Sequence, residues 1–97
     1  MLTVKIVNVS TKDEFLVEAS KCVVEKAIAS TFNEWEKDIF QQTVGKLVVT
    51  APEKEAKNIA YWRIKIINDG EICIYFACNS NVFVMNEQGQ TVAIYRK

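Results

Sequence analysis

The sequence predicts an α+β domain, and three patterns predict it. Apolar and polar residues alternate over 2–9 and again over 14–19. Apolar residues then recur every three or four positions over 21–42, and four further alternating runs fill 59–97. Alternation is the period of a strand with one buried face, and a spacing of three and four is that of a helix. The expected order is an N-terminal β-hairpin, one long or kinked helix over about 21–42, a short strand, and a four-strand antiparallel meander with the helix on one face.

In residues 2–9, Leu2, Val4 and Ile6 point one way and Thr3 and Lys5 the other. Ser10-Thr11-Lys12-Asp13 is a polar turn. Residues 14–19 alternate again, with Phe15, Val17 and Ala19 inward, which completes the hairpin. Ser20 offers a hydroxyl to cap a helix. Val24, Ile28, Phe32, Trp35 and Ile39 then form one apolar stripe. The helix is either continuous and kinked or broken near Thr31-Phe32-Asn33, and it stops before Gly45. Lys46–Thr50 reads as the short strand, and Ala51–Asn58 as a connector.

The meander's register follows from asking which loop lengths bring apolar sets onto one face, because directly opposite residues share a face. A two-residue loop at Asp69-Gly70 would pair Ile67 with Ile72 and Lys65 with Ile74, which mixes lysine with isoleucine. A three-residue loop pairs Ile66 with Ile72, Ile64 with Ile74 and Trp62 with Phe76, and Gly70 supplies its left-handed residue. Three-residue loops at Asn79-Ser80-Asn81 and Glu87-Gln88-Gly89 likewise pair Cys78 with Val82, Phe76 with Val84, Val84 with Val92 and Val82 with Ile94. The expected inner face is Ala60, Trp62, Ile64, Ile66, Ile72, Ile74, Phe76, Cys78, Val82, Val84, Val92 and Ile94.

Composition bounds the function. The chain has 97 residues, 49% hydrophobic and 25% charged, the makeup of one globular domain spanning 1–97. Twelve basic and twelve acidic residues cancel, so no net field draws it to nucleic acid or an acidic membrane. No apolar leader or bilayer-length apolar run is visible, so no membrane partner is expected. Cys22, Cys73 and Cys78 are odd in number, which points to free thiols in a reducing cytoplasm.

The chain contains no histidine. That removes Ser-His and Cys-His nucleophile systems and every His-containing zinc site. Three glycines leave no phosphate-cradling loop. Cys22, near the expected helix start, could have a lowered thiol pKa; as a small core or boundary residue it needs no function. Glu34, Glu36 and Asp38 fan around the helix axis as a solvated face. The expectation is a non-enzymatic protein with no cofactor and no metal.

The outer face of the meander is the candidate site. Tyr61, Arg63, Tyr75, Phe83, Met85 and Tyr95 fall on it. The register puts Arg63, Tyr75, Met85 and Thr91 in one cross-strand row, and Tyr61, Ala77, Phe83 and Ala93 in the next. A solvated sheet face is normally polar. This one is either a second core, a protein interface (including a homodimer), or a stacking platform for single-stranded nucleic acid.

Phe15-Leu16-Val17-Glu18-Ala19-Ser20, the following helix with Ala27-Ile28-Ala29, and the strand Tyr61–Ile67 together resemble several small phage-encoded inhibitors of bacterial defence, anti-CRISPR proteins among them. The likeness covers roughly residues 14–32 and 61–78. It implies a viral or mobile-element inhibitor that blocks a partner surface, and it carries over no functional residue. A helix wrapped by a meander also resembles the cystatin fold, although Gln42-Thr43-Val44-Gly45 is one residue short of that family's Gln-x-Val-x-Gly loop. The leading expectation is a protein-interaction module. A single-stranded nucleic-acid binder is the alternative, and an enzyme or a homodimeric structural protein comes third.

Overall fold

The computed structural model describes residues 1–28 and 60–97, and every element among them is a strand. The seven are β1 (Leu2–Asn8), β2 (Glu14–Ala19), β3 (Lys21–Ile28), β4 (Ala60–Asn68), β5 (Glu71–Ala77), β6 (Ser80–Met85) and β7 (Thr91–Tyr95). They form two antiparallel sheets, the first ordered β2-β1-β6-β7 and the second β3-β4-β5. The described part is therefore all-β, which corrects the α+β expectation.

The N-terminal hairpin forms as its alternation predicts, with Val4 opposite Val17 and Ile6 opposite Phe15. Its loop is organised by buried Asn8. The Oδ1 of Asn8 accepts the backbone N–H of Ser10 and of Thr11 at 2.9 and 3.0 Å, and its carbonyl accepts that of Lys12. Lys12 turns the chain at φ 66°.

The expected helix over 21–42 is replaced at its start by β3. Residues 29–42, the short strand at 46–50 and the connector at 51–58 lie outside the described residues. Val24 and Ile28 fit a helical stripe, but Val23-Val24 is a β-branched pair, stiff at χ1 and better suited to a pleat. Ser20, expected as a helix cap, instead forms the corner between the sheets. Its N–H donates to the Asn68 side-chain carbonyl at 2.7 Å and to the Ile67 carbonyl at 3.1 Å. The Asn68 amide donates in turn to the Glu18 carbonyl at 3.0 Å.

The meander is also corrected, because its four strands do not make one sheet. β4 and β5 pair in the second sheet, and β6 and β7 pair in the first. Cys78 and Asn79 carry the chain across, with Asn79 at φ 51°. β6 then pairs with β1, placing Ile6 opposite Val82 and Val4 opposite Val84, so the expected Cys78–Val82 and Phe76–Val84 pairs are absent. Buried Ser80 closes the crossing by donating its hydroxyl to the Cys78 carbonyl at 2.8 Å.

The β4–β5 register is the two-residue one. Ile67 lies opposite Ile72, and Lys65 shares a face with Ile74. Asp69 at φ 49° and Gly70 at φ 81° both take the left-handed conformation that the primed hairpin turn requires. Trp62 faces Ala77 and not Phe76. At β6–β7 the three-residue loop is present: the Asn86 N–H donates to the Gln90 carbonyl, and Gly89 sits at φ 78°. A register shift between Val84 and Met85 then moves Val84 onto Ala93 and Val82 onto Tyr95. One residue of slip reverses every following side chain. Val92 and Ile94, expected inside, are exposed, while Tyr95 turns inward to pack on the core.

The core lies between the sheets. Val4, Ile6, Ala19 and Val82 of the first sheet meet Ile64, Ile66 and Ala77 of the second, with Phe15, Val17, Cys22, Val24, Trp62, Tyr75 and Tyr95 around them. Ile72, Ile74 and Phe76 stand on the second sheet's other face, which corrects their expected place beside Ile64 and Ile66. Phe76, Ile74, Tyr61 and Ala27 are also buried there.

Candidate docking surface

The six expected site residues fall on three separate surfaces. Tyr61 and Arg63 lie on the second sheet's face away from the core, alongside Ala27 and Glu25. Tyr61 is buried, and that burial, reinforced by the neighbouring Cys78, pushes its phenol from 10.0 up to about 12. The Nη2 of Arg63 donates to the Glu25 Oε2 at 2.8 Å. That bond and the guanidinium charge hold the exposed Glu25 carboxyl below its ordinary range.

Tyr75 and Tyr95 point between the sheets. The Tyr75 ring lies 5.3 Å from that of Phe15, and its phenol is pushed upward by burial first and then by Cys73. Tyr95 meets Trp62 edge-on at 5.7 Å. The Trp62 indole donates to the Ser80 carbonyl at 3.1 Å, and the Lys26 ammonium stands 4.3 Å above its ring. The rows expected from the meander register do not form.

Phe83 and Met85 do share an open surface, the outer face of the first sheet. Register sets the rows of this face. Leu16, Lys5, Phe83 and Ile94 stand in line across all four strands. Glu18, Thr3 and Met85 make the next row, beside Val92, the extra residue left by the register shift. Leu16 is 58% exposed, Ile94 45% and Val92 57%. Lys5 leans out of its row to pair with Glu14 at 3.1 Å. Beyond Met85 a shallow concavity of about 330 Å3 is bounded by Thr3, Glu18 and Glu87, whose carboxylate pairs with the Met1 ammonium.

Sequence reasoning missed Leu16, Lys5 and Ile94. Leu16 had a visible signal, since it is apolar in the outward set between Glu14 and Glu18. Ile94 had none, because only the register shift turns it outward.

Little else suggests chemistry. Among the described residues no three Cys, Asp or Glu side chains gather closely enough to hold a metal ion. Of the three cysteines, Cys22 is half-buried, Cys73 exposed and Cys78 buried. Cys22 sits in a strand and not at a helix start, and burial pushes its thiol up, away from the thiolate. Among the described residues no helix is long and apolar enough to cross a membrane. No family model, curated protein or solved structure matches the chain.

Proposed function

We propose that the protein is a non-enzymatic interaction module in the cytoplasm, and that it docks a protein through the outer face of its first sheet. The observation that carries this is the row Leu16-Lys5-Phe83-Ile94, three of whose four members are apolar on an open face. Water meets these apolar side chains at a cost, and apolar side chains grouped on one open face favour an interaction site. An odd number of cysteines, three, supports a reducing compartment. A chain without histidine supports a role outside acid–base catalysis.

Stacking of single-stranded nucleic acid draws less support. Tyr61 is buried, and Tyr75 and Tyr95 pack against other rings, so the three tyrosines offer no shared open platform. The test is capture by the immobilised chain. A partner should be retained by the wild type and by Arg63→Ala, and lost by Phe83→Glu, which would bury an unpaired carboxylate. Equal retention by Phe83→Glu contradicts the proposal.

A further inference from the structure

We draw no further inference here: the strongest candidate, the surface patch of Leu16, Phe83 and Ile94 on the open face of the first sheet, belongs to the docking surface already described, and nothing in the structure shows what covers it.

Discussion

The two sheets solve different problems with similar strands. The first sheet has one face in the core and one open, so Ile6 and Val82 are buried while Leu16 and Ile94 on the other side are exposed. The second sheet is buried on both faces around β4 and β5: Ile64 and Ile66 pack toward the first sheet, and Phe76, Ile74 and Tyr61 are buried on the opposite side. One-sided burial leaves a surface available for docking. Two-sided burial leaves none, and it makes the second sheet the more sensitive to substitution. The difference also decides what alternation can reveal, since a sheet buried on both faces has no polar face to mark its register.

Phe76→Ala probes the second sheet's far face. If the second sheet's far face is core, the variant should lose about 3–5 kcal/mol in urea unfolding, a large share of a small domain's stability. Ile64→Ala, on the face toward the first sheet, should cost about 2–5 kcal/mol. A loss confined to one of the two would show that only one face is core.

The same face makes a pH prediction. The Tyr61 phenol is held protonated to about 12, above its ordinary 10.0. The folded state thus binds a proton that the unfolded chain has released. Its contribution is fully present below about pH 10 and is lost as pH rises through about 12. Tyr61→Phe should flatten stability against pH in that window relative to the wild type. An unchanged slope would mean that the phenol is not buried in solution.

Asn68→Ala probes the corner where the chain passes from the first sheet to the second. It removes the amide that bridges Ser20 and Glu18, and should cost about 1 kcal/mol. A neutral result would leave the corner held by the Ser20–Ile67 backbone bond alone. The smallest effect belongs to the open face of the first sheet. Ile94→Ala should change stability by no more than about 0.5 kcal/mol at low micromolar concentration. A loss of about 2–5 kcal/mol would put Ile94 in the core after all.

Strand positions were more legible than strand partners. The N-terminal hairpin and the four C-terminal strands follow the alternation closely, because alternation reports a pleat whatever the strand pairs with. β3 was hidden because Val24 and Ile28 are four apart, which suits a helix and a strand alike. Requiring one apolar face selects a three-residue loop at β4–β5, where the structure has two. The correct two-residue loop puts Lys65 beside Ile74, a mixture acceptable only because both faces of that sheet are partly buried. At β6–β7 the expected three-residue loop is present, and the register shift beyond it turns Val92 and Ile94 outward. Of the six expected site residues, Phe83 and Met85 lie on the open face of the first sheet, since their alternation with Val82 and Val84 depends on no pairing.

The chain crosses between sheets at Cys78–Asn79, so that β6 pairs with β1 and not with β5. Interstrand nuclear Overhauser effects on the labelled chain test it most directly. The two-sheet arrangement predicts cross-strand contacts between Val4 and Val84 and between Ile6 and Val82, with none across a β5–β6 ladder. A ladder of contacts joining Phe76 to Val84 and Cys78 to Val82, with none from β6 to β1, would contradict it.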